Sequence, residues 1–104
     1  MAKTILDLGQ NHTLRVLRWA PDRTLNPQYA HLPDVEHYGA VIAHPGPLGV
    51  CEATITFDGP VRQELSPAKP RWHVVEWEPL TVTPSVVCAC GDHGWIRKGR
   101  WVPA

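Results

Sequence analysis

The chain has 104 residues, and its 10 Lys and Arg balance its 10 Asp and Glu. Zero net charge argues against a polyanionic partner held by bulk electrostatics. The 11 Pro and 8 Gly exclude a helical bundle or a coiled coil, while 25 Ile, Leu, Val and Phe side chains and 5 Trp are enough for one small core and too many for a disordered tail.

In chain order, residues 1–7 lack the cationic start and apolar run of a secretory signal. No stretch approaches the ~20 apolar residues of a membrane span. The expected location is therefore the cytoplasm of a (host) bacterium, or a phage particle assembled there. Residues 12–19 place Leu14, Val16 and Leu17 between polar neighbours, the pattern of a strand with one irregular step. Residues 21–33, with three Pro and one Asp, read as an extended loop or a single helical turn. His44-Pro45-Gly46-Pro47 reads as irregular, because proline lacks the amide hydrogen and biases its predecessor away from helix.

The cleanest alternation follows: Cys51, Ala53, Ile55 and Phe57 on one face, Glu52, Thr54 and Thr56 on the other, ended by Asp58-Gly59-Pro60. Residues 66–70 are a proline-rich linker. Short strands are expected over 72–77, 80–82, 86–88, 95–97 and 100–102, with Lys98-Gly99 as a tight hairpin turn. The whole predicts one mainly β domain over residues 1–104. It would be a small antiparallel sheet or a partly open barrel with Pro/Gly-rich loops and at most short helical turns.

The segment that carries chemistry is Cys88-Ala89-Cys90-Gly91-Asp92-His93-Gly94. Cys88 and Cys90 point to one face of a strand, Gly91 lets the backbone turn, and His93 can swing back. Thiolate and imidazole are ligands of a borderline ion such as zinc. With Cys51, the only other thiol, the set Cys51, Cys88, Cys90 and His93 would close one structural zinc site per chain. That would staple a domain of a size that benefits from it. His44 is an alternative ligand in place of Cys88 or Cys51. Cys51 can also be read as a small buried hydrophobe, or as one half of a disulfide that leaves a thiol over. His12, His31, His37 and His73 show no ligand spacing and read as surface or hydrogen-bonded side chains. Trp72, Trp77, Trp95 and Trp101 read as core, and Arg97, Lys98 and Arg100 as a solvated edge.

The chain resembles a family of uncharacterised small bacterial, phage and prophage proteins. Their C-terminal pattern runs Pro-Ser, Cys-x-x-His, an aromatic, Ile-Arg and a closing Trp. The matching residues are Thr83-Pro84-Ser85, Cys90-Gly91-Asp92-His93, Trp95-Ile96-Arg97 and Trp101, with Tyr38-Gly39, His44 and Cys51 upstream. The resemblance covers residues 32–101. Some relatives carry more Cys in the upstream turn, and here Cys88 would replace the missing ligand. The resemblance implies a metal-held fold.

Three functions follow as expectations. The first is a non-enzymatic, metal-stabilised phage or prophage module acting through contact with virion or host proteins. The second, from the resemblance alone, is an accessory of a ubiquitin-like conjugation pathway. The third is a small enzyme, using an open zinc site with Asp92 or Glu52 as base, or Cys90 as nucleophile with His93 as its base. Protein partners are expected in the first two. Neither a membrane nor a nucleic acid is expected as a partner.

Overall fold

A computed structural model describes residues 5–104; residues 1–4, part of the segment read above as lacking a signal, lie outside it. It contains eight strands, a short 3-10 helix at Pro27–Tyr29 and one short α-helix, α1, at Pro60–Leu65. The strands are β1 (Ile5–Gly9), β2 (His12–Trp19), β3 (Val35–Gly46), β4 (Gly49–Thr56), β5 (His73–Trp77), β6 (Leu80–Val87), β7 (His93–Arg97) and β8 (Arg100–Pro103). They form two antiparallel four-stranded meanders, β1-β2-β3-β4 and β5-β6-β7-β8, and no closed barrel. Among the described residues no helix is long and apolar enough to cross a membrane.

One apolar cluster joins the two sheets. Leu8, Leu14, Ala40, Ile42, Ile55 and Phe57 come from the first half of the chain, and Leu80, Val82, Val86, Ile96 and Trp101 from the second. The alternation read in residues 51–57 becomes β4, with Ile55 and Phe57 buried and Glu52 and Thr54 exposed. A short parallel bridge between Phe57 and Trp72 ties the sheets at one corner. There the Trp72 amide donates to Thr56 O at 2.9 Å, and the Asp58 amide donates to Trp72 O at 2.8 Å. Two tight turns have left-handed backbones, at Gln10-Asn11 (φ 53° and 59°) and at Lys98-Gly99 (φ 51° and 73°). That geometry matches the right-handed twist of a hairpin.

Two expectations need correction. The segment His44-Pro45-Gly46 is not irregular: it ends β3, with His44 opposite Cys51, Pro45 opposite Val50 and Gly46 opposite Gly49. Proline is tolerated there because β2 pairs with β3 only up to Ala43, so beyond that point β3 has an unpaired side that needs no amide donor. Similarly, residues 80–82 and 86–88 are not separate strands. β6 runs through Pro84 as a bulge: Val82 faces Ile96 and Val86 faces Gly94, so four steps along β6 span two along β7. The tryptophans divide. Trp101 is buried, Trp72 packs against the core half-buried, Trp95 is half-buried, and Trp77 is exposed.

Candidate active site and metal centre

The tip of the β3–β4 hairpin brings His44 and Cys51 side by side as a cross-strand pair. Gly46, two residues on from His44 and on the same face, leaves the space that the Cys51 sulfur occupies; a Cβ there would collide with Sγ. The turn between β6 and β7 supplies the other sulfurs. It is closed by the Cys88 amide donating to Asp92 O at 2.8 Å and the Gly91 amide donating to Cys88 O at 2.9 Å. Gly91 takes the left-handed φ of 96° that the turn requires.

From that turn Cys90 Sγ reaches His44 Nε2 at 3.5 Å. His44, Cys51 and Cys90 place one ligand atom each within 4.8 Å of one another, a group that can hold a metal ion. The buried Cys88 thiol is close enough to Cys51 and Cys90 to perturb both. Burial pushes the Cys51 thiol up, and its neighbours Cys90 and Cys88 add to the shift. The backbone of Asp92 holds the Cys90 thiol down. His44 Nδ1 lies 3.0 Å from Pro45 O. A carbonyl can only accept, so Nδ1 donates there, which leaves Nε2 as the ring nitrogen that a metal ion beside Cys90 would take.

A second layer backs this group. His12 Nε2 is 2.6 Å from Asp92 Oδ2, and its Nδ1 is 2.6 Å from Gln10 O. The same carboxylate oxygen is 3.7 Å from His44 Nε2. His12, His44 and Asp92 form a second group with ligand geometry. The His12 ring is stacked between His44, at 4.9 Å, and Trp101, at 4.2 Å.

Cys88 belongs to neither group, its thiol donating to Glu52 O at 3.8 Å. The last member of the sequence-read ligand set, His93, is also in neither group. Its Nε2 lies 2.8 Å from Ser85 Oγ. The register explains the meeting. Val87 faces His93, and Ser85, two residues earlier on the same face, is its diagonal neighbour. The bulge at 83–85 re-aims the serine, and the Trp72 indole, donating Nε1–H to Ser85 O at 3.2 Å, pins its backbone. Gly94 and Ile96 are buried while His93, Trp95 and Arg97 alternate outward, so the Ser85–His93 pair lies on the outer face of the second sheet. Among the described residues no carboxylate pairs with His93.

Of the residues singled out from the sequence, Cys51 and Cys90 come together with His44, and Cys88 lies beside them. Cys90 faces His44 rather than His93. Sequence reasoning passed over His12 and Asp92 as a pair, because 80 residues separate them. It noted Ser85 only as part of the Pro-Ser resemblance, and that dipeptide was the one available signal.

Residues 35–104 match a family model described as bacterial ubiquitination-like system serine protease (BubE). No curated protein and no solved structure matches the chain. The family description fits the conjugation-system expectation and gives no support to a phage or prophage role.

Proposed function

The chain belongs to the BubE family of bacterial ubiquitination-like systems, and on that premise we propose that it is a serine peptidase. Ser85 is its nucleophile, His93 its general base, and its substrates are proteins of such a system. The observation that carries this reading is the 2.8 Å contact between Ser85 Oγ and His93 Nε2 on an accessible face. A hydroxyl is a weak nucleophile until a base within hydrogen-bond reach takes its proton.

The steps follow from that contact. Oγ attacks the scissile carbonyl carbon as its proton passes to His93 Nε2. The tetrahedral intermediate then collapses: the C–N bond breaks, and the leaving amine takes the proton from His93. An acyl ester on Ser85 remains. Water attacks the ester carbon, giving a proton to Nε2; the ester C–Oγ bond breaks, and Oγ recovers that proton. With no carboxylate on His93, the pair works as a dyad, and the Val87–His93 pairing and the Trp72 bond to Ser85 O supply the orientation.

We also assign a structural zinc ion to His44, Cys51, Cys88 and Cys90. His44, Cys51 and Cys90 have ligand geometry and donor types that suit zinc, and the Gly46 cradle admits the Cys51 sulfur. The neighbouring Cys88 thiol would be the fourth ligand, and a closed set of four would leave no open position for chemistry. The ion would clip the β3–β4 hairpin to the β6–β7 turn. Ser85 lies just before Cys88 and His93 just after Cys90, so the clip fixes the geometry of the dyad. This reading differs from the third expectation, which had an open zinc site or Cys90 as nucleophile with His93 as its base.

The test is covalent labelling with a fluorophosphonate, which reacts with activated serines. Mass spectrometry of the digested protein is expected to find one adduct, on Ser85. Ser85→Ala should abolish it, and His93→Gln should slow it by roughly 100-fold or more. Labelling that is absent, falls on another residue, or is unaffected by His93→Gln overturns the reading.

A further inference from the structure

Beside the dyad, the outer face of β7 and β8 carries an unusual charge arrangement. Arg97 and Arg100 are direct cross-strand partners at the end of the hairpin. Like charges placed directly opposite destabilise a sheet. No carboxylate relieves them. Among the described residues, the exposed Arg and Lys ion pairs are made by Arg18, Arg23, Arg71 and Lys98 instead. The Arg97 guanidinium is held 4.4 Å over the Trp95 ring, which fixes its position and leaves its N–H edge free. Trp95 in turn faces the partly exposed Val102 across the strands. Along β7, His93, Trp95 and Arg97 therefore present a base, an apolar platform and an unpaired cation in one line. At ~3.3 Å per residue, Arg97 stands about 13 Å from His93.

We propose that the Arg97–Arg100 pair is a carboxylate-recognition subsite for the polypeptide cut at Ser85. It reads an acidic group three to five residues from the scissile bond in a chain lying extended over Trp95. The proposal rests on the peptidase reading and adds its substrate preference. The two arginines start from paired backbone positions, Arg97 lying over Trp95 and Arg100 reaching towards Gly9, and a carboxylate on this edge would take N–H donors from either of them. An acidic side chain and a free C-terminal carboxylate near the cut have the same chemistry. The neutral overall charge of the chain favours this local use of two arginines over a nucleic-acid surface.

The test uses internally quenched ten-residue peptides of apolar and Gln residues. A single Glu is walked through the positions, and each peptide is made with a free and an amidated C-terminus. Cleavage rates and cut sites are measured for the parent protein, Arg97→Gln, Arg100→Gln and the double variant. The parent should prefer peptides with a carboxylate three to five residues from the cut by roughly 5- to 10-fold in kcat/KM. The double variant should lose that preference while its fluorophosphonate labelling and its rates on neutral peptides stay unchanged. Loss of the preference on amidation alone identifies the C-terminal carboxylate as the source.

Three results overturn the subsite while leaving the peptidase reading in place. One is equal cleavage of Glu and Gln peptides by a protein that labels on Ser85. Another is a uniform rate loss in the double variant. The third is binding of a fluorescent oligonucleotide that disappears in the double variant. Failure to label Ser85 overturns both. The double variant also carries a structural readout. Removing the repulsion should leave its melting temperature equal to or above that of the parent, so a loss of preference cannot be ascribed to unfolding.

Discussion

The indole of Trp101 lies flat on the imidazole of His12, with ring centroids 4.2 Å apart and planes 10° apart, and it can do so because Gly94 lies under its edge. A Cβ at Gly94 would collide with Cε2, Cζ2 and Nε1 of that indole. The contact links the core of the second sheet to the polar layer behind the candidate metal centre.

Gly94→Ala is therefore expected to be costly beyond ordinary overpacking, at about 2–3 kcal/mol. For a domain of this size that lowers the melting temperature by roughly 10 °C or more. The near-ultraviolet circular dichroism of Trp101 should change with it. A variant melting within ~2 °C of the parent would mean that the indole is not seated over Gly94.

Metal content separates two roles for the histidines. Protein purified without chelator should carry about one zinc per chain. His44→Ala, Cys51→Ser and Cys90→Ser should lose it together with several kcal/mol of stability, on the order expected for a structural ion. His93→Gln should keep the metal and the melting temperature while losing fluorophosphonate labelling. Metal loss in His93→Gln with retention in His44→Ala would restore the ligand set first read from the sequence.

Asp92→Asn tests the layer behind the ligands. The carboxylate bonds His12 at 2.6 Å and stands beside His44. Partners of this kind typically contribute 10- to 100-fold to metal affinity. Competition with a zinc chelator should show a loss of about tenfold, with the same number of ions bound at saturation. An unchanged affinity would remove Asp92 from any role in the centre.

Arg62 offers a prediction independent of the site. Its side chain is 2% exposed. It donates to Thr56 Oγ1 and to the carbonyl oxygens of Ser66, Lys69 and Pro70, so it organises the 66–70 loop that follows α1. Arg62→Met keeps the bulk but leaves these acceptors without a donor. Equilibrium unfolding should show a loss of ~3 kcal/mol or more. A loss below ~1 kcal/mol would mean that water replaces the guanidinium.

Much of the fold can be read from local pattern. β2, β4 and the Lys98-Gly99 turn are legible because alternation and turn chemistry are properties of neighbouring residues. The two prolines misled for a common reason. Pro45 and Pro84 sit where a strand has an unpaired side or bulges, and that depends on which strand lies alongside. The site divides in the same way. The clustering of the three sulfurs was legible from residue type. The choice of His44 over His93 as their neighbour was not, since it rests on the His44–Cys51 and Val87–His93 registers. The Ser85–His93 contact is a diagonal across two strands, and no spacing rule along the chain identifies it.

The bulge in β6 and the turn at 88–92 together have a consequence for how transferable this chemistry is. The proposed nucleophile and base, Ser85 and His93, and the two sulfurs between them all fall within one hairpin. On the proposed reading the reacting groups lie in one hairpin, and only the metal ligands His44 and Cys51 come from elsewhere in the chain. A host hairpin would need surplus length in its nucleophile strand, a glycine at the turn, and a neighbouring loop offering an imidazole and a thiol.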